Sequence, residues 1–124
     1  MAKELLYGVG IFIPVSDLDK STKWYEEMLD FELIHSDEPN AKTFRTCDGK
    51  VIFTLVKCEN ITQLKFPKND YDVGVYYNFL TTDVEKIHQE MLAKDANVSP
   101  IHDYGDVKGF SITDPDGNRF GIVT

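Results

Sequence analysis

Few side chains in this chain could carry chemistry, and their spacing constrains what they could do. There are three histidines, His35, His88 and His102, and two cysteines, Cys47 and Cys58. A protein metal site needs three or four such donors converging on one point. His35 has Glu32 nearby and His102 is followed by Asp103, yet adjacent residues on a strand point to opposite faces. His88 falls on an apolar helical stripe, where a histidine is ordinarily a packed side chain. The cysteines form no CxxC pair and have no histidine near them in sequence, so they read as buried thiols rather than a zinc site or a nucleophile. Tyr76, His102 and Asp103 remain as conceivable acid or base groups.

The elements that must position these residues come in two copies. Residues 7–15 read as a strand rich in β-formers, and Ser16 then caps a helix that carries Leu18, Tyr25, Met28 and Leu29 on one face. Strands follow at 31–36, 43–47 and 51–57, the last two joined by a turn at Asp48–Lys50. The same order recurs: a strand at 74–81, a helix capped by Thr82 with Glu85 at its third position, and strands at 98–103, 108–113 and 119–123. Its helical stripe is Val84, Ile87, His88, Met91 and Leu92. Ser16, Asp17 and Lys20 recur sixty-six positions on as Thr82, Asp83 and Lys86, and Asp48-Gly49 recurs as Asp116-Gly117. The spacing predicts a single domain over 1–124 made of two βαβββ modules, about 6–57 and 73–124, with a connector at 58–72. A connector of this length is either a solvated linker or a binding loop.

Totals narrow the function classes. The formal charge is −8, from 21 acids against 13 bases, with no basic cluster for nucleic acid. The acidity suits solubility, and a cationic or neutral ligand. No apolar run reaches the roughly 18 residues that span a bilayer, and the first residues lack a signal peptide's pattern, so a cytoplasmic location is expected.

The stretch Pro14-Val15-Ser16-Asp17-Leu18-Asp19-Lys20-Ser21 leading to Trp24-Tyr25, with Asp114-Pro115-Asp116-Gly117-Asn118-Arg119-Phe120 near the end, resembles the glyoxalase, bleomycin-resistance and extradiol-dioxygenase (vicinal oxygen chelate) superfamily over residues 7–124. The resemblance implies an α+β fold in which two tandem βαβββ modules curl a mixed sheet into a cup with helices outside, commonly as a homodimer. It leaves the reaction open, since one fold hosts many chemistries. The Asp114–Asn118 motif itself is architectural: Pro115 presets a turn, Gly117 supplies positive φ, and Asp114 and Asn118 satisfy local donors.

Metal-dependent relatives place one ligand on the first strand and one on the last strand of each module. Carried over by the repeat, these positions are Gly10, Phe53, Tyr76 and Gly121. Glycine and phenylalanine offer no donor, and a lone phenol is a poor ligand. No metal and no cofactor are therefore expected, nor is glyoxalase activity. Strand alternation from the same positions predicts an aromatic cleft that also carries Gly8, Pro14, Val51, Leu55, Leu80 and Val123, with Phe12, Phe53, Tyr76, Asn78 and Arg119 as ligand-binding residues. By resemblance to bleomycin-resistance proteins, the expected function is sequestration of a small organic molecule, cationic or planar. The alternatives are a metal-free lyase or isomerase and a metalloenzyme with relocated ligands.

Overall fold

The structure is a computed structural model and describes residues 2–124. The chain divides into two compact units, one ending at Ile61 and the other running Thr62–Thr124. Each is an open mixed sheet with one long helix on one face, so the chain is α+β. The division falls inside the 58–72 connector and places most of that segment with the second unit.

The first unit runs α1 (Ala2–Leu5), β1 (Val9–Val15), α2 (Leu18–Leu29), β2 (Glu32–Asp37), β3 (Ala41–Thr46) and β4 (Val51–Lys57). The strand order is β1-β4-β3-β2, with β1 parallel to β4 and the other pairs antiparallel. A parallel pair needs a long crossover, and the sequence supplies it as α2 plus a hairpin. Asp17, not Ser16, caps α2: its carboxylate accepts the Lys20 N–H, and its backbone is the last extended one before the helix. A carboxylate also complements the positive end of the helix, which favours the aspartate over the serine beside it. The helix stops at Asp30, in the left-handed region at φ 54°, whose N–H bonds the Tyr25 carbonyl. Leu18 and Tyr25 are buried on its inner face. Tyr25 stacks on Phe31 at 5.2 Å, and Phe31 lies 4.8 Å from Phe53, so this core is an aromatic pile between helix and sheet.

The second unit runs β5 (Asn78–Leu80), α3 (Val84–Ala93), β6 (Asn97–Val98), β7 (His102–Asp103), β8 (Lys108–Thr113) and β9 (Arg119–Val123). Its order is β5-β9-β8-β6, with β7 also on β8. Again the cap is an aspartate, Asp83, which accepts from Lys86 N–H, while Thr81 accepts from Asp83; the expected Thr82 is one residue early. The strand expected at 74–81 is hydrogen-bonded as a strand only from Asn78, although the Tyr77 carbonyl still accepts the Gly121 N–H. The strand expected at 98–103 is split at Ser99-Pro100. The Ser99 hydroxyl takes the Ser111 N–H, and Pro100 has no N–H to give. Val84, Met91, Phe110, Ile112, Phe120 and Ile122 fill the core.

The Asp114–Asn118 turn is tied by one buried carboxylate. Asp114 accepts from the N–H groups of Asp116 and Asn118 and from the Asn118 amide, while Gly117 takes φ 90°. Gln63 donates to the Asp116 carbonyl, and Asn69 bonds Pro67, Tyr71 and Val73, so the segment after Ile61 is folded onto its own unit. Among the described residues no helix is long and apolar enough to cross a membrane.

Two substitutions separate satisfied from unsatisfied burial. Asp114→Ala strips three donors at once and is expected to lower unfolding free energy by about 2–4 kcal/mol. The Ser21 hydroxyl is buried in α2 with no hydrogen-bond partner among the described residues. Ser21→Ala is expected to leave stability unchanged or raise it by about 1 kcal/mol, by removing that orphan and improving helix propensity. Urea unfolding of both variants checks the opposite signs.

Candidate functional site

Directly paired residues in a sheet share a face, so the register decides which side chains face the helix and which face the open side. In the first unit Ile11, Ile13 and Val15 pair with Phe53, Leu55 and Lys57, and the buried members show this to be the helix side. The open side therefore carries Gly10, Phe12 and Pro14 with Ile52, Thr54 and Val56. Phe12 is 75 % exposed there, whereas Phe53 is 1 % exposed and packed against Phe31. The placement of Phe53, Val51 and Leu55 in a cleft with Phe12 is thus corrected: all three lie on the opposite face.

The error has a local cause. Three successive residues, Cys47, Asp48 and Gly49, have positive φ at the first turn, against Gly117 alone at the second. Counting from the turn gives Phe53, but the pairing of Phe12 with Thr54 and of Asn78 with Gly121 makes Thr54 the residue equivalent to Gly121. One position of drift reverses the face.

In the second unit the open side carries Asn78 and Leu80, then Arg119, Gly121 and Val123, then Gly109, Ser111 and Thr113 of β8, with Asn97 and His102 paired to β8. Asn78, Arg119 and Gly121 thus stand together as the sequence suggests; Ser111 and Thr113 escaped notice because β8 carries no motif. Gly121 is buried beneath Asn78, whose side-chain oxygen occupies the space a Cβ would take. Tyr76, 49 % exposed, lies two residues before Asn78 with its ring 4.8 Å from Phe66. His88 is the packed histidine expected: its Nε2 meets the Ser99 carbonyl at 2.8 Å and its ring edge rests on Phe110. Trp24 packs edge-on against Tyr25 at 4.7 Å.

The electrostatics of the two open faces differ. In the first unit Arg45 makes two bonds to Glu32, at 2.8 and 2.9 Å, and His35 Nε2 lies 3.1 Å from an Asp37 carboxylate oxygen. The Arg45 hydrogen bond holds the Glu32 carboxyl below its ordinary range. In the second unit no strand residue on the open face is a carboxylate, and among the described residues Arg119 makes no ion pair; its guanidinium lies 3.5 Å from the Ser111 hydroxyl. Asp103 turns to the helix side, where Lys108 bonds Glu85, and its carboxylate caps Gly105. Of the three conceivable acid-base residues, only His102 has a strand position on this open face, and Asp103 is excluded from it.

A separate cleft of about 360 Å³ in the first unit is lined by Ser16–Asp19, Glu38, Pro39 and Lys57. Its acids are engaged: Asp17 caps α2, while Glu38 and Asp19 hold the Lys42 ammonium at 3.1 and 3.6 Å. It is a structural joint between helix and hairpin.

The ligand positions of metal-dependent relatives do not fit a metal here. Gly10 and Gly121 have no side-chain donor, Thr54 offers one hydroxyl that bonds Thr43, and Tyr76 offers one phenol. Among the described residues no group of three or more His, Cys, Asp or Glu could hold an ion.

A profile of the Glyoxalase/Bleomycin resistance protein/Dioxygenase superfamily matches residues 9–122. The chain belongs to that superfamily. Solved structures share the fold at low identity. An integron cassette protein from the mobile metagenome of Halifax Harbour sewage outfall gives a TM-score of 0.77 at 18 % identity, covering 94 % of this chain and 97 % of that one. The fosfomycin resistance protein FosX of Listeria monocytogenes gives 0.73 at 16 %, covering 92 % and 88 %. Lactoylglutathione lyase of Agrobacterium tumefaciens gives 0.72 at 16 %, covering 93 % and 90 %. No curated protein matches the chain. The superfamily thus includes enzymes, and membership alone assigns this chain none of their reactions.

The face assignment makes a direct contrast. Phe53→Ala empties a buried aromatic position and is expected to cost about 3–5 kcal/mol, while Phe12→Ala is expected to change stability by less than about 0.5 kcal/mol. Paired denaturant titrations check this; equal costs would mean the register is wrong.

Proposed function

We propose that the protein binds a small organic molecule on an open sheet face without a metal ion, and so withholds it from other targets. The observation that carries this reading is the make-up of the second unit's open face. It presents exposed Leu80 and half-buried Val123, the Tyr76–Phe66 ring pair at its margin, and two polar side chains, Asn78 and Arg119, that among the described residues have no partner beyond the long Arg119–Ser111 contact. Apolar walls with a few polar handles are the usual composition of a small-molecule site. Planar ligands suit a margin of rings. In the first unit, Phe12 presents a second exposed ring beside Thr54.

An enzymatic reading needs a titratable group aimed at the substrate, and His102 is the open-face residue from which it would start. The binding reading is favoured because Asp103, the carboxylate next to His102 in sequence, faces away, as strand alternation requires. Cys47 is exposed and Cys58 half-buried, which corrects the expectation that both are buried; as free thiols they suit a reducing compartment, so the cytosol belongs to the proposal. So does a homodimer, which would cover exposed apolar residues such as Val9; light scattering across a dilution series checks it.

The first test is elemental analysis of protein purified without a metal-affinity tag, with thermal melts across nickel, zinc, manganese and iron(II). Less than stoichiometric metal and no ion-specific rise in melting temperature are expected. The metal-loaded protein is also expected to show no methylglyoxal–glutathione turnover. Turnover abolished by a chelator would overturn the metal-free reading.

A further inference from the structure

We propose that the open face of the second unit's sheet recognises the carboxylate of a small organic acid, with Arg119 as the charged anchor and Ser111 and Asn78 as its neutral partners. This rests on the binding function proposed above and names the chemistry of its ligand.

The argument begins with a mismatch between the chain and this face. The whole chain carries −8, which by itself suits a cation. Locally the sign reverses. The paired strands contribute Asn78, Leu80, Asn97, His102, Gly109, Ser111, Thr113, Arg119, Gly121 and Val123 to the open side, and none is an acid. In a chain with 21 carboxylates, the strand acid of this unit, Asp103, is turned to the other face. Arg119 is left without the carboxylate partner that Arg45 has in Glu32 on the first unit's open face. An arginine fork without an acid beside it presents donors suited to an incoming carboxylate, and bidentate pairing gives both strength and orientation.

The neighbours of Arg119 complete the recognition. Asn78, Gly121 and Ser111 form one row across three strands, and Arg119 lies two residues before Gly121 on the central one. Strands about 4.8 Å apart and a two-residue rise of about 6.7 Å put these groups within reach of a single head group. The Ser111 hydroxyl is 3.5 Å from an Arg119 nitrogen, so the guanidinium leans over the row rather than away from it. Among the described residues Asn78 makes no hydrogen bond; its amide oxygen lies over the side-chain-free Gly121, and the same amide carries an NH2 group that can donate to a head group in this row. The next row, Leu80 opposite Val123 opposite Gly109, is apolar, and Leu80 is 81 % exposed. A polar row beside an apolar one matches a molecule with an anionic end and a hydrocarbon or ring body.

The test is a charge series on one ring body: 2-naphthoate, neutral 2-naphthamide and cationic 2-naphthylmethylammonium, titrated into the full chain by calorimetry. Naphthoate is expected to bind at least ten-fold more tightly than the amide, and the ammonium more weakly than either. Arg119→Gln, at an exposed position, is expected to erase the preference for naphthoate, weakening it about ten-fold while the amide is unchanged. Rising salt is expected to weaken naphthoate alone, which supports the assignment even if that variant folds poorly. Equal affinity for acid and amide, or tighter binding of the ammonium, would overturn the carboxylate assignment while leaving small-molecule binding intact. No binding by any of the three overturns both.

Discussion

The parallel ladder between the first and last strand of each βαβββ unit is the constraint on which the rest depends. It brings together two segments about forty residues apart, β1 with β4 and β5 with β9, and its register fixes what shares a face. On one side of each ladder the helix covers a dry core: Ile13, Leu55 and Phe53 in one unit, Phe120 and Ile122 in the other. On the other side stand the residues of the open face, where the candidate site lies. Because side chains alternate with period two, a slip of one residue would exchange core and site wholesale.

That sensitivity explains what was legible in the sequence. The two-fold repetition, the helices and the Asp114–Asn118 turn were visible because each is written in short-range signals: caps, stripes and turn formers at fixed spacing. The face of β9 was also readable, since a simple turn with one positive-φ glycine leads straight into it and places Gly121 and Arg119 correctly. The face of β4 was not. Its turn bends through three left-handed residues, a conformation that Cys47-Asp48-Gly49 does not announce, so counting along the chain lost parity at Phe53. The split of β6 from β7 depended on the Ser99 hydroxyl replacing a ladder bond, a tertiary event that propensity does not encode. Ser111 was missed because its place in the row is set by its partner, Gly121, rather than by anything adjacent in sequence.

Charge tells the same story at a different scale. Composition reports the mean, and the mean here is acidic. The structure sorts it: Glu32 is matched by Arg45 on the first open face, Glu85 is matched by Lys108 on a helix side, and Arg119 stands beside the neutral Ser111 on the second open face. Net charge describes how the molecule behaves toward distant ions, while a ligand meets only the few groups within a screening length.

The seating of Asn78 above Gly121 has an evolutionary corollary. A chelating side chain at 121 would need the volume that the Asn78 amide oxygen now fills. A lineage crossing between the two states could not change 121 first without displacing that amide, nor would it gain a chelating centre by changing 121 alone, because Gly10 offers no donor and Thr54 only a hydroxyl already bonded to Thr43. The two conditions are therefore separated by several replacements rather than by one.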